Sequence, residues 1–301
     1  MVASSIEQAR HRGYSAGRVL RRALARLWGR DVMLYTGGVS FFALLALFPA
    51  LGLLVGLYGM LSNPGQAAVQ VSALTNMLPY EAQDLVHDEL NRLINASRPA
   101  VSVQSVVALI IAIYAAHRGF KALLAGLSFI HEEDKPRGFV GFNLLALVVA
   151  IAAFVLLSAT SAVFVAVRLV SAALHLPPLG RGWISNEWTW STAGLALAFT
   201  LLYRYAMSSD PVGWRASSLG GVSAALLSVL ASALSAFYVS QVAHLGATYG
   251  SIGAVVVFLI WLSWNVNAVF FGGALATETD LALMQPGLAL PLPKPAEGLD
   301  A

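Results

Sequence analysis

The feature that most constrains this chain is a long uncharged apolar stretch near its C-terminal end. Between Ile252 and Ala276 no residue carries a charge, and most side chains are aliphatic or aromatic. At ~1.5 Å rise per residue, about 25 helical residues exceed the ~30 Å hydrocarbon core of a bilayer. A water-soluble domain has no comparable use for a helix that is apolar nearly all round. The stretch therefore predicts a membrane-spanning helix.

The composition extends this prediction to the whole chain. Of its 301 residues, 58% are hydrophobic and only 11% are charged, whereas about 25% are charged in soluble domains. The mean hydropathy of +0.72 is typical of a multi-pass membrane protein. The net charge of +3 is too small to indicate nucleic-acid binding. The absence of cysteine excludes disulfides, thiolate catalysis and cysteine-bound metals.

The hydropathy pattern predicts an all-α fold with six transmembrane helices. These spans are expected over residues 32–61, 101–130, 139–170, 188–207, 216–242 and 249–280. With this arrangement, seven arginines in the N-terminal 30 residues, six Lys and Arg in the inner loops or the inner ends of spans, and Lys294 share one side, which is fourteen of eighteen. Because Lys and Arg concentrate on the cytoplasmic side, both termini are expected in the cytoplasm.

Three polar segments accompany the six-span domain, which is expected over residues 31–281. They are a cytoplasmic basic amphipathic helix at 1–30, a short external helical insertion at 62–100 and a disordered, proline-rich cytoplasmic tail at 282–301. In the N-terminal segment arginine recurs every fourth residue from Arg18 to Arg30, with leucines roughly opposite. Such a helix either places its arginines at anionic headgroups or simply supplies positive flanking charge.

Two motifs carry a family resemblance. The last span contains Tyr249-Gly250-Ser251-Ile252-Gly253-Ala254-Val255, then Trp261-Leu262 and Gly272-Gly273, and the first contains Ser40-Phe41-Phe42-Ala43-Leu44-Leu45-Ala46-Leu47-Phe48-Pro49. Both resemble the YihY/virulence factor BrkB family of bacterial inner-membrane proteins, once mis-assigned as ribonuclease BN. The resemblance covers roughly residues 15–281 and implies a location in the bacterial inner membrane. The family usually reads Gly-Ala-Glu-Leu-Asn where this chain has Gly272-Gly273-Ala274-Leu275-Ala276, so both polar residues are absent.

Several polar residues lie within the predicted spans. A charge at bilayer depth costs about 2.5–3.5 kcal/mol and usually faces an interior or water. We interpret a set of six residues as a candidate substrate path, with Glu278 one turn beyond the position of the family's missing Glu. The set is His117, Arg118, Lys121, Asn265, Asn267 and Glu278. Alternatively, the basic side chains reach out to the interface and the asparagines bridge helices.

Two further features concern the packing of the spans. Pro49 in the first span is a candidate hinge, because proline removes one N–H and clashes with the preceding turn. The fifth span carries small residues at every fourth position, which lets a neighbouring helix approach closely. These residues are Gly220, Ala224, Ser228, Ser232, Ala236 and Ser240.

The sequence favours a non-enzymatic membrane function. Its six histidines form no metal-binding motif, and it has no Gly-x-x-x-x-Gly-Lys phosphate-binding loop. We expect no cofactor and no metal, and membrane lipids as partners. The basic path predicts a transporter or lipid-handling protein whose substrate is an anionic small molecule or lipid headgroup. The alternative is a non-transporting envelope assembly or scaffold factor.

Overall fold

A computed structural model describes residues 17–28, 32–61, 103–132, 137–173, 187–241 and 251–284 of the chain. Within these ranges the chain forms seven α-helices and no strand, which confirms the predicted all-α class. The helices are α1 (Gly17–Trp28), α2 (Val32–Leu61), α3 (Val103–His131), α4 (Phe139–Ala173), α5 (Glu187–Tyr205), α6 (Trp214–Gln241) and α7 (Ser251–Met284).

Length and hydropathy identify the membrane-crossing helices. Among the described residues, four helices are long and apolar enough to cross a bilayer, and these belong to α3, α4, α6 and α7. The number rises to five if the bent pair of α1 and the first part of α2 counts as one span. Helices suit the bilayer core because they satisfy backbone hydrogen bonds within the segment. The chain is therefore an all-α membrane protein.

The first half of α4 shows the lipid-facing surface most clearly. Over Phe139–Leu156 only 6% of the residues are buried, although this segment has the highest mean hydropathy of the four, 2.7. Large apolar side chains such as Val140, Ile151 and Phe154 are exposed along it. Soluble proteins rarely expose a continuous apolar surface of this length, and such a surface suits contact with the acyl chains of a bilayer.

The helix ends lie close to the predicted span ends, with one difference at the C-terminal side. Helix α7 continues to Met284, whereas we expected a disordered tail from residue 282. The sequence explains this difference, because proline first interrupts the helical pattern at Pro286. The predicted insertion at 62–100 lies outside the described residues, and so does the remainder of the tail.

The candidate hinge Pro49 lies inside α2. The helix is continuous from Val32 to Leu61, with Pro49 beyond its midpoint. Proline is tolerated within membrane helices because neighbouring groups satisfy the freed backbone carbonyl. A hinge motion at Pro49 stays a prediction.

The chain forms two compact units. The first unit comprises Met1–Leu34, Leu124–Leu226 and Ala268–Ala301, and the second comprises Tyr35–Leu123 and Leu227–Asn267. Helices α2, α3, α6 and α7 contribute residues to both units. The described core of the first unit includes the fully buried side chains of Tyr203, Phe270, Leu124, Leu127 and Ile130.

Candidate functional site

In the second unit, Arg118 lies on the exposed surface of α3. Its Nε donates a hydrogen bond of 3.3 Å to the hydroxyl of Tyr114, one turn earlier on the same helix. The guanidinium carbon lies 5.5 Å from the centroid of the Tyr114 ring, within cation–π range. Both side chains are exposed, while His117 and Lys121 are half-buried. Arg118 therefore extends along the outside of its own helix.

The two asparagines of the predicted path have partners of a different kind. The Asn267 side-chain oxygen accepts a hydrogen bond of 3.1 Å from Thr36 on α2, and the Asn265 amide donates to the carbonyl of Trp261 at 2.8 Å. Within the described part of the second unit, no hydrogen bond joins Asn267 to Arg118. Asn267 bridges two helices, which is a common use of asparagine in membranes.

A second polar contact joins α2 and α7 near Asn267. The hydroxyls of Ser40 and Ser263 lie 3.4 Å apart, and Ser40 is buried. Thr36 is buried as well. Small side chains with hydroxyl groups let two membrane helices approach closely and bond across the contact. In the described part of the second unit, polar groups therefore have two roles. The hydroxyl and amide groups of α2 and α7 join these helices, and Arg118 presents a positive charge on the surface of α3.

The sixth residue of the predicted path, Glu278, belongs to the first unit and is buried there with only 2% of its side chain exposed. Its Oε2 forms an ion pair with Arg22 Nε at 2.7 Å, although that N–H is not aligned for a hydrogen bond. Its Oε1 accepts a charge-assisted hydrogen bond from Arg26 Nε. Two arginines of α1 are therefore held by one carboxylate of α7.

Arg26 also caps the C-terminal end of α3. Its Nη1 donates to the carbonyl of Ile130 at 2.8 Å and lies 3.3 Å from Oε1 of Glu132. Carbonyls in the last turn of a helix lack partners within the helix and carry partial negative charge, so a guanidinium there is favourable. Glu132 has a φ of 57°, and this left-handed conformation at the end of α3 accompanies its contact with Arg26.

The end of α7 makes two further polar contacts in the first unit. The Nδ1 of His131 lies 3.0 Å from the Thr277 hydroxyl, which also donates to the Gly273 carbonyl at 3.0 Å. Asp280 is buried and accepts a hydrogen bond of 3.0 Å from the backbone N–H of Gly213. Polar side chains about one turn apart on α7 thus bind α3 and the connection between α5 and α6.

The connection between α5 and α6 is held by two arginines. Arg137 donates to the carbonyls of Ala206 and Ser208, the former at 3.2 Å. Arg204 donates to the Val212 carbonyl at 2.6 Å, and its guanidinium carbon lies 4.3 Å from the centroid of the exposed Trp214 ring. These contacts pair carbonyls of the turn that take no part in helical hydrogen bonding.

The small-residue positions of α6 lie at close contacts with α7. A Cβ on Gly220 would meet the Gly272 carbonyl oxygen at 2.5 Å, and a Cβ on Gly272 would meet the Ala224 Cβ at 2.7 Å. Ser228 is buried, and the Ser232 hydroxyl accepts a hydrogen bond of 3.0 Å from Trp261 Nε1. The side chains of Ala236 and Ser240 lie outside the described set.

Sequence analysis did not predict the partners of Glu278, although the sequence shows both a carboxylate within an apolar span and a helix with periodic arginines. A carboxylate inside an apolar span requires a cation or a proton, and the amphipathic pattern of the N-terminal segment supplied arginines at every fourth residue. It also missed Tyr203, which is fully buried and donates a hydrogen bond of 2.7 Å to the Val269 carbonyl in the middle of α7. Nothing in the local pattern marks that tyrosine.

The described residues contain no group of three His, Asp or Glu side chains that could hold a metal ion. The chemistry that the described geometry offers is electrostatic and hydrogen-bonding. It consists of a buried arginine–carboxylate cluster in the first unit and an exposed guanidinium on a membrane helix in the second. An exposed guanidinium suits oxyanion ligands such as phosphate or carboxylate.

Comparisons with known proteins agree with the helical membrane architecture. The family described as Virulence factor BrkB matches residues 23–289. The putative ribonuclease-like protein YfkH of Bacillus subtilis (strain 168) is 26% identical over 253 residues, covering 78% of this chain and 85% of that protein. The UPF0761 membrane protein Bxeno_A3061 of Paraburkholderia xenovorans (strain LB400) is 39% identical over 85 residues, covering 26% and 19%. No solved structure matches this chain.

Proposed function

Because the chain belongs to the Virulence factor BrkB family, we propose that it is a bacterial inner-membrane protein that handles anionic lipids. In this proposal it has six spans with both termini in the cytoplasm, and it binds or moves a lipid through its phosphate headgroup. It has neither enzymatic activity nor a cofactor. The observation that carries the proposal is the exposed guanidinium of Arg118 within the apolar segment Leu109–His131.

The position of Arg118, within an apolar segment and on its exposed surface, explains why a lipid is the favoured ligand. An arginine in an apolar span is costly unless water or headgroup oxygens reach it. Arg118 lies on the exposed surface of α3, alongside the exposed ring of Tyr114, rather than within the buried core. A phospholipid that diffuses within the bilayer can bring its phosphate group to this surface without entering the protein interior. The same surface is less suited to a water-soluble anion that enters through the protein interior.

A binding measurement tests this proposal directly. The protein is reconstituted in nanodiscs, and its retention of phosphatidylglycerol against phosphatidylcholine is measured by native mass spectrometry. Removal of one basic contact at a membrane site is expected to weaken binding by about five- to tenfold. We therefore expect Arg118→Ala to lose this preference and Arg118→Lys to keep most of it.

Arg215 provides the matched control. It is also an exposed arginine but lies in the first turn of α6, at the start of the span, where headgroups reach it without any special site. Arg215→Ala should leave the preference for phosphatidylglycerol unchanged. If Arg118→Ala retains the lipid as well as the wild type does, the proposal is wrong. A protein partner in constant stoichiometry would then favour a scaffold, and RNA hydrolysis by the same preparation would favour the activity in the Bacillus relative's name.

The proposed topology has a separate test. Alkaline phosphatase is active only in the periplasm, so a fusion after Gly180 should be active and fusions after Lys135 and Asp210 should be inactive. The physical reason is the concentration of Lys and Arg in the loops assigned to the cytoplasm. Activity after Asp210 would contradict the six-span arrangement with cytoplasmic termini.

A further inference from the structure

Helix α1 presents two different faces in the first unit. Its inward face carries Ala23, Arg22 and Arg26, of which Ala23 and Arg26 are buried. Its outward face carries Leu20, Leu24 and Trp28, which are 47%, 41% and 87% exposed. At ~100° per residue these three side chains fall within an arc of about 80°. The polar face of this helix therefore packs on the protein, and the apolar face is left uncovered.

This arrangement differs in one respect from that of an ordinary basic amphipathic helix at a membrane, namely where two of its arginines point. Such a helix usually turns its arginines to the headgroups and its leucines to the acyl chains. Here two arginines turn toward α7, where Glu278 binds both. The exposed Arg21 lies at the edge of the apolar arc, about 100° from Leu20, whereas the exposed Arg18 lies about 160° from Leu20, toward the side of Arg22. Arginines at the edge of an apolar face can reach phosphates while that face enters the bilayer.

Exposed apolar side chains are also found at the start of α2, the next described helix. Met33 and Leu34 follow α1 closely in the chain, belong to the same unit and are 79% and 78% exposed. They begin α2, an apolar helix that is long and apolar enough to cross a bilayer when α1 and the first part of α2 are taken together as one bent span. The exposed apolar residues at the start of α2 and the positive charge of Arg21 both favour an anionic lipid surface as the partner of this face.

We infer that α1 is an interfacial helix whose outward face of Leu20, Leu24 and Trp28 is inserted in the anionic leaflet of the membrane, while Glu278 fixes its inward face to the end of α7. The partner of this surface is the phospholipid leaflet itself. The inference concerns a different element from the proposed Arg118 site and does not depend on lipid transport. It assigns α1 a fixed rotation about its own axis and a depth that depends on the charge of the leaflet.

The absence of cysteine from the chain allows a clean test by site-directed spin labelling. Single cysteines are introduced in the full-length protein by Leu24→Cys, Trp28→Cys and Arg21→Cys, and each is labelled with a nitroxide. The protein is reconstituted in vesicles of phosphatidylcholine with phosphatidylglycerol. Power saturation then compares collisions with oxygen, which concentrates in the bilayer, and with a water-soluble nickel chelate.

The labels at positions 24 and 28 should collide mainly with oxygen and be shielded from nickel, and the label at position 21 should collide with nickel at least several-fold more. Vesicles of phosphatidylcholine alone should reduce the depth at positions 24 and 28. Equal access of nickel to all three labels would overturn the inference, because α1 would then lie in water. Shielding of positions 24 and 28 from both reagents would also overturn it, since a second copy or another protein would then cover the face.

Discussion

Glu278→Ala is expected to lower the free energy of unfolding by about 3 kcal/mol. The substitution leaves Arg26 with a buried guanidinium and removes its most deeply buried counter-charge. Breaking a buried ion pair by removing one partner typically costs about 3–5 kcal/mol, because the remaining charge is desolvated without compensation. Arg22 loses a partner in the same substitution. Unfolding by a denaturing detergent, followed by circular dichroism, measures the change.

Glu132 supplies a matched control because it contacts the same arginine. Its side chain is 45% exposed and lies 3.3 Å from Arg26, whereas that of Glu278 is 2% exposed. Glu132→Ala should cost less than about 1 kcal/mol, as exposed ion pairs do. The φ of 57° at this position disfavours glutamate and alanine alike, so backbone strain does not bias the comparison. Equal losses at the two positions would contradict the electrostatic account.

A double substitution separates electrostatics from packing at this cluster. In Arg26→Met with Glu278→Met both buried charges are replaced by apolar side chains of similar length. Buried ion pairs replaced in this way often lose little stability. The double variant should therefore be more stable than Glu278→Ala by at least about 1 kcal/mol. A loss larger than in the single variant would show that the hydrogen bond of Arg26 to Ile130 dominates.

The helices could be predicted well from the sequence because membrane spans need long runs of apolar residues, and such runs are easily recognised. A span of apolar residues has few alternatives once water is absent, since its backbone must bond internally. The bounds of α3, α4, α5 and α6 therefore lie within three residues of the predicted span ends. The end of α7 was less well predicted, because proline-rich composition suggested disorder and the helix stops only near Pro286.

The contacts of the candidate site were harder to predict, for two physical reasons. Arg26 and Glu278 are separated by 252 positions, and a helical pattern gives the face of a residue without naming the element opposite it. Arg118 illustrates the second reason. In a helix that is apolar on every side, hydropathy does not fix rotation about the helix axis, so a lipid-facing arginine and an inward-facing arginine give the same sequence pattern. The structure places Arg118 on the exposed side.

Gly272→Ala is expected to destabilise the protein by about 1–2 kcal/mol, although the same change inside a helix ordinarily stabilises by about 1 kcal/mol. The sign is reversed by the contact between α6 and α7. A Cβ on Gly272 would lie 2.7 Å from the Gly220 carbonyl oxygen, the Ala224 Cβ and the Tyr203 hydroxyl oxygen. One of these atoms is backbone, so the helices must separate, and overpacking of this kind costs about 1–3 kcal/mol.

Gly141 in α4 gives the control for this last prediction. A Cβ there meets nothing within 4 Å, so Gly141→Ala should leave the protein at least as stable as the wild type. In the Gly272→Ala background, Ala224→Gly should restore only part of the loss, because it removes one of the three contacts and leaves the Gly220 carbonyl in place. Detergent-induced unfolding of the four proteins measures these differences. If Gly272→Ala is as stable as Gly141→Ala, then α6 and α7 lie further apart in the membrane than these contacts require.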